Sequence, residues 1–341
     1  MSDSNFSTPP YPPVPPAAPL GAAVPMTFGQ ILERVFRLLR AYWKPFVGIG
    51  LIPIGALIVF EGVLFGALFA SGVFQRPPAQ PNTATILGIV VPFLVLGIPL
   101  MLLSYGLYYG ASTYAALAAD QDRAPTAAQA LRHAWSNVGR YTWLTVLRSL
   151  IVAGPILVLA FVVGLGAALL GVASKGNTSP AALFFLVPLV ILIYLGSLVY
   201  AVIMSLRLSL AFSACVQESL AASRAITRSG LLTQGAKGRI FLMLLLIYAI
   251  GYALMMVLYF VGFMVAAIAA VAGAGHLHNL TPLGYAALGL LAVCALVVVL
   301  LWSMLLMAAY SISFAVFYRD QRLRKDGPPP APTPVAIAAE S

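Results

Sequence analysis

Long apolar runs alternate with short polar segments along most of the chain, at about 46–72, 85–118, 142–173, 182–216, 240–274 and 282–317. Each run exceeds the ~20 helical residues needed to cross a hydrocarbon core of roughly 30 Å. Six spans are expected. Several runs are well over that minimum, which predicts tilt, kinks or helices that project beyond the bilayer. Pro53, Pro92, Pro99, Pro155 and Pro188 are the expected kink points, because each removes a backbone donor and crowds the preceding turn.

The polar segments carry their own periodicity. At 100° per residue, Phe28, Ile31, Leu32, Val35, Phe36, Leu39, Tyr42 and Trp43 share one arc, and Gln30, Glu33, Arg34, Arg37, Arg40 and Lys44 share the other. This predicts an amphipathic helix over 28–44 that lies in the membrane interface, arginines toward anionic head groups. Residues 127–142 repeat the design more weakly. In the third polar segment, Ala211–Phe241, Ala221, Ala222, Ala225 and Ser229 form a small-residue face without bulky anchors. It is expected to be a helix packed closely on protein, with Glu218 complementing its N-terminal dipole.

The spans end alike in alternation. TYAALAADQDR (113–123), AFSACVQESLA (211–221) and SFAVFYRDQRL (313–323) each place an aromatic (Tyr114, Phe212, Phe314) six residues ahead of an acid (Asp120, Glu218, Asp320). The entry segments ILERVF (31–36), ALRHAW (130–135) and AITRSG (225–230) align as well, superposing Arg34, His133 and Arg228. The fold expected is all-α and integral to the membrane: six transmembrane helices as three hairpin repeats, each preceded by an amphipathic or packed helix on the cytoplasmic side. The repeats fall at about 27–120, 121–218 and 219–320 within a membrane domain at 27–320, flanked by a proline-rich tail at 1–26 and a basic, then proline-rich, tail at 321–341. Both tails are expected to be disordered and extended.

Composition agrees with this class. Of the 341 residues, 61% are hydrophobic and 8% charged, where a soluble domain has roughly a quarter charged. The net charge of +10 points to the membrane surface rather than nucleic acid, because the basic residues flank apolar runs. The segments joining spans 1–2, 3–4 and 5–6 hold Arg76, Lys175 and no lysine or arginine, whereas the opposite set holds clusters of them. Basic residues are retained in the cytoplasm, so both termini are expected there, in a bacterial inner membrane. The N-terminus has no charged region followed by an apolar one and is not read as a signal peptide. Cys215 and Cys294 lie in separate runs and suggest neither a disulfide nor a metal site.

The stretch ESLAASRAITRSGLLTQGAKGRIFLMLLLI (218–247), with TFGQILERVFRLLRAYWKPF (27–46), resembles the bacterial family called the glycerophosphoryl diester phosphodiesterase membrane domain. That family's pattern is an acid, an A-L-x-R-S-W-like block, L-T-x-G and a basic residue opening the next span. Glu218, AITRSG, LTQG and Lys237/Arg239 match it over a resemblance that spans about 27–320, with Gly230 in place of the tryptophan. The resemblance implies a membrane fold. The phosphodiesterase activity belongs to a fused soluble barrel for which this chain has no room, and it is not carried over.

Glu61 is the acid well inside a span; an intramembrane acid serves either proton or cation coupling or a hydrogen-bonded structural role. Arg148 and Arg207, inside the ends of spans 3 and 4, either snorkel to the interface or form an anion or lipid-phosphate site with Arg228. Glu218, the acid that closes the second repeat, is a further candidate functional or lipid-contacting residue. Recurrent tyrosines and serines on the spans suit helix packing or a hydrated cavity. His276 and His278 lack a third ligand. No P-loop, GxSxG or HExxH motif occurs, so neither an enzyme, a cofactor nor a metal is expected. Two functions remain: a non-catalytic protein that organises or stabilises lipids or membrane partners, or a permease for a small solute or lipid. The partners expected are anionic lipid head groups at the cytoplasmic face, with a membrane protein or a second copy beside them, and not nucleic acid.

Overall fold

In the computed structural model, residues 25–71, 83–173, 180–273 and 282–327 are described. They form nine helices: α1 (Phe28–Ala70), α2 (Thr83–Asp120), α3 (Ala127–Ser136), α4 (Val138–Ala173), α5 (Pro180–Arg207), α6 (Ala211–Gln217), α7 (Ala222–Thr233), α8 (Lys237–Gly273) and α9 (Pro282–Asp326). Helices α1, α2, α4, α5, α8 and α9 are long and apolar enough to cross a membrane. The chain is an all-helical multi-pass membrane protein. Arg76, Lys175, His276, His278 and nearly all of the two proline-rich tails lie outside the described residues.

The core sits at one end of the bundle. Its members include Ile31, Val35 and Phe46 of α1, the end of α2 from Leu107, Ala130 and Ala134 of α3, Tyr141 and Leu144 of α4, Leu206 of α5, most of α6, Leu232 of α7, Ile240 and Met243 of α8, and residues of α9 between Ala308 and Tyr318. Toward the other end the same helices expose their large side chains, as at Phe65, Leu96, Phe161, Leu192 and Phe263. Sequence explains the division. The outer halves are leucine, valine and phenylalanine, which gain nothing by leaving lipid tails for one another. The inner halves are rich in alanine, glycine and serine, which let backbones approach closely. At Gly106 a Cβ would lie 2.8 Å from the Thr142 Cα, and at Gly110 it would lie 2.3 Å from the Tyr141 ring, so α2 and α4 cross in direct contact.

Local signals set the helix ends. Thr27 caps α1 through a reciprocal capping box with Gln30, and Thr126 caps α3 by accepting from the Gln129 amide at 3.2 Å. Helix α2 ends in a Schellman pattern: Arg123 N donates to the Ala118 carbonyl and Asp122 N to that of Ala119, both at 3.0 Å, with Asp122 at φ 56°. The entry helix expected at 28–44 is not separate from the first span, for α1 runs on to Ala70 with one departure at Tyr42 (φ −124°, ψ 26°). The Pro45 ring crowds the carbonyl four residues back and the chain bends just there. Its apolar arc is divided: Ile31 and Val35 are buried in protein, while Phe36 and Trp43 are exposed. The second entry segment breaks at Asn137 and does not reach Thr142, and α9 passes through Asp320 to Asp326 instead of turning at its acid.

Candidate functional site

Two sites adjoin at the packed end, a plate of ion pairs and a cavity beside it. The plate is built on Asp120 at the end of α2, Glu218 at the C-cap of α6 and Asp320 in the last turns of α9. Asp120 is 2% exposed, and Arg34 of α1 grips it twice, Nε donating to Oδ1 and Nη2 to the main-chain carbonyl, both at 2.6 Å. Arg319 of α9 reaches the same carbonyl at 3.1 Å and Oδ2 at 3.3 Å. Asp320 is fully buried; its carboxylate accepts from Arg324 at 2.8 Å, from Gln321 at 3.1 Å and from the Met26 main-chain amide at 2.8 Å, with Arg239 3.7 Å away. Arg239 and Arg324 also donate to the Met26 carbonyl, so the segment before α1 is strapped across α8 and α9.

Glu218 and Arg228, two of the candidate residues, meet here. Arg228 Nε lies 3.2 Å from both Glu218 oxygens, and the Tyr318 hydroxyl donates to Oε1 at 2.5 Å. Glu218 lies between α6 and α7 as the C-cap of α6, rather than in the first turn of α7. Arg228 also pairs with Asp326, whose carboxylate is the chief cause holding the guanidinium charged beyond its ordinary range. A hydrogen bond to a charged acceptor is worth about 1.5–3 kcal/mol net. With Glu218 about a fifth exposed, Tyr318→Phe is expected to cost about 1.5 kcal/mol, the lower end of that range. Thermal unfolding in detergent would read it, and Glu218→Gln should abolish the difference between Tyr and Phe at 318.

His133, aligned in sequence with Arg34 and Arg228, stacks on Tyr114 with centroids 4.4 Å apart and shares a 3.1 Å hydrogen bond with the Tyr141 hydroxyl. Burial first, and the Arg140 charge second, hold its pKa below the ordinary 6.5. The unfolded chain therefore takes up this proton first as pH falls. The stability contribution is full above about 6.5 and is lost as pH drops through the lower folded value. Unfolding midpoints measured from pH 7.5 down to pH 5 should fall, and His133→Gln should flatten part of that slope.

Arg207 and Arg148 do not converge with Arg228 in one anion site. Arg207 is exposed at the end of α5. Its freed main-chain carbonyl accepts from the Ser229 hydroxyl at 2.7 Å, docking α7, and its Nε would lie 3.2 Å from a Cβ at residue 230. Ala222, Ala225 and Ser229 form the buried face of α7, while Ala221 is exposed.

Arg148 lines the cavity, about 690 Å³, enclosed by α2, α4, α5, α6, α8 and α9. Its guanidinium lies 5.5 Å from the Tyr109 ring centroid. Hydroxyl-bearing Thr113, Ser205, Ser209, Ser213 and Ser311 and four tyrosines share the wall with apolar side chains, and no lining residue belongs to α1. Glu61 is exposed on α1, apart from both sites. Among the described residues no cluster of three or more His, Cys, Asp or Glu gathers in a metal-binding arrangement. The capping pairs, the Met26 strap and the Gly106/Gly110 crossing were not anticipated. The GLYYG spacing at 106–110 carried the signal for the last, and T-x-x-Q at 27–30 and 126–129 for the first. No family model, curated protein or solved structure matches the chain.

Proposed function

We propose that this is a non-catalytic polytopic protein of the bacterial cytoplasmic membrane that organises or stabilises lipids, with both termini in the cytoplasm. The observation that carries the reading is the distribution of polarity. The buried acids Asp120 and Asp320, and the half-buried Glu218, are each engaged by arginine at one end, while the helices beyond present apolar side chains outward. These three acids serve the architecture of that end. The protein's wide apolar perimeter and basic end suit contact with acyl chains and anionic head groups.

The three-repeat arrangement is part of this proposal. Helices α1, α3 and α7 begin at Phe28, Ala127 and Ala222, the same place in the aligned entry segments. The same aligned positions are buried in each: Ile31, Ala130 and Ala225, then Val35, Ala134 and Ser229. A likeness to the membrane domain of the glycerophosphoryl diester phosphodiesterase family rests on the quoted motifs and enters only as fold.

The test is reconstitution in vesicles of mixed zwitterionic and anionic phospholipid. Spin-labelled lipids should show enrichment of the anionic species at the protein, and the vesicles should show neither solute flux nor lipid scrambling. Flux or scrambling dependent on the protein would establish the permease alternative instead.

A further inference from the structure

The cavity holds a charge that the fold does not neutralise. Arginines of the plate each meet a carboxylate, yet among the described residues no acid lies within ion-pair distance of Arg148. The Tyr109 ring lies against its guanidinium. Arg148 is half-buried, and a cation that deep in a span without a carboxylate partner is costly; such residues mark ligand sites. A second observation is independent of the first. Ser213 is 1% exposed, lines the same cavity, and its hydroxyl has no hydrogen-bond partner. Buried hydroxyls in folded proteins are almost always satisfied.

The form of the cavity indicates what would satisfy both. Its mouth lies between α5 and α8, where Val202, Phe241, Leu245 and Tyr248 are between 41% and 55% exposed. These side chains lie on the perimeter that faces lipid tails. A molecule entering there must be apolar along most of its length and carry its negative charge at the inner end. The guanidinium fork with surrounding hydroxyls matches the several acceptor oxygens of a phosphate. A volume of about 690 Å³ holds a phosphate and its glycerol, with acyl chains leaving through the mouth.

We propose that the cavity is a binding site for one anionic glycerophospholipid, its phosphate on Arg148 and Ser213 and its acyl chains passing out between α5 and α8. This assignment rests on the lipid-organising reading and names its ligand. The lipid enters headgroup first from the bilayer, and inorganic phosphate binds far more weakly, because it has no acyl chains to bury against the apolar part of the wall.

Native mass spectrometry of the full chain, delipidated in mild detergent and titrated with phosphatidylglycerol, tests this. The wild type should take up one phosphatidylglycerol strongly, and neither phosphatidylcholine of the same chains nor inorganic phosphate should displace it. Arg148→Gln should weaken that uptake about tenfold or more, Ser213→Ala by a smaller factor, and Arg148→Lys should recover part of it. Val202→Trp, which blocks the mouth and leaves the charge, should lower uptake as well and stands in if Arg148→Gln misfolds. Arg207→Gln, outside the cavity, should bind as the wild type does. Unaltered uptake in folded Arg148→Gln and Val202→Trp overturns the site, as does displacement by inorganic phosphate or equal preference for a fatty acid. If those variants bind normally while spin-label enrichment persists, only the site fails. If the enrichment itself is absent, the lipid-organising reading fails with it.

Discussion

Arg34→Ala is expected to destabilise the protein by about 3–5 kcal/mol, the cost of removing one partner from a buried ion pair. Asp120 is 2% exposed and Arg34 22%, so the pair is shielded from water and the carboxylate cannot recover by hydration. Arg34 also satisfies the Asp120 main-chain carbonyl, one of the acceptors that the end of α2 leaves without an intrahelical donor. Arg319 remains nearby but is 38% exposed, at longer distances, and solvent screens much of its effect. Arg319→Ala should accordingly cost far less. The measurement is unfolding of each variant in the same detergent. An Arg34→Ala midpoint close to that of Arg319→Ala would show that the pair contributes little. Arg34→Ala with Asp120→Leu should regain part of the loss, because a buried pair replaced by apolar groups is often neutral.

Gly106→Leu is the second large effect, at or beyond the upper end of the about 1–3 kcal/mol that overpacking costs. The obstruction is Thr142 backbone, at 2.8 Å and 2.9 Å from where a Cβ would begin, and no rotamer change relieves it. Helices α2 and α4 must separate, opening the core around Tyr141 and Leu144. Gly251→Ala is the control. There the blocking atoms are the Leu306 methyl groups, at 2.5 Å and 3.0 Å, and a leucine side chain can turn away. Loss of folded protein with Gly106→Leu, beside near-normal yield of Gly251→Ala, is the expected pattern. Equal yields would remove the α2/α4 crossing as a constraint.

These two positions show how much the sequence made readable. The six spans were legible because lipid imposes a length and a composition on any helix that crosses it. The acids at 120, 218 and 320 were legible because each interrupts an apolar run in the same way. Glu218 and Arg228 were each singled out, but their pairing was not legible, because the break between α6 and α7 sets it. Nor was that of Arg34 and Asp120, for 86 residues separate them and nothing local states that α1 and α2 end side by side. The Phe28–Lys44 pattern was legible as amphipathic but did not say whether its apolar face meets lipid or protein. Ile31 and Val35 meet protein while Phe36 and Trp43 do not. Arg148 was singled out as an intramembrane charge, yet its neighbours in the cavity come from five other helices, and periodicity within one helix carries no information about the others.

The Met26 strap bears on the order of synthesis. Its amide leaves the ribosome 294 residues ahead of Asp320, the acid that receives it. At about 5–20 residues per second the first turn of α1 waits roughly 15–60 seconds for its acceptor. Arg239 arrives in between and can hold the Met26 carbonyl alone. The clamp closes fully only once α9 has been made, so the earliest described residues of the chain are among the last to reach their final contacts.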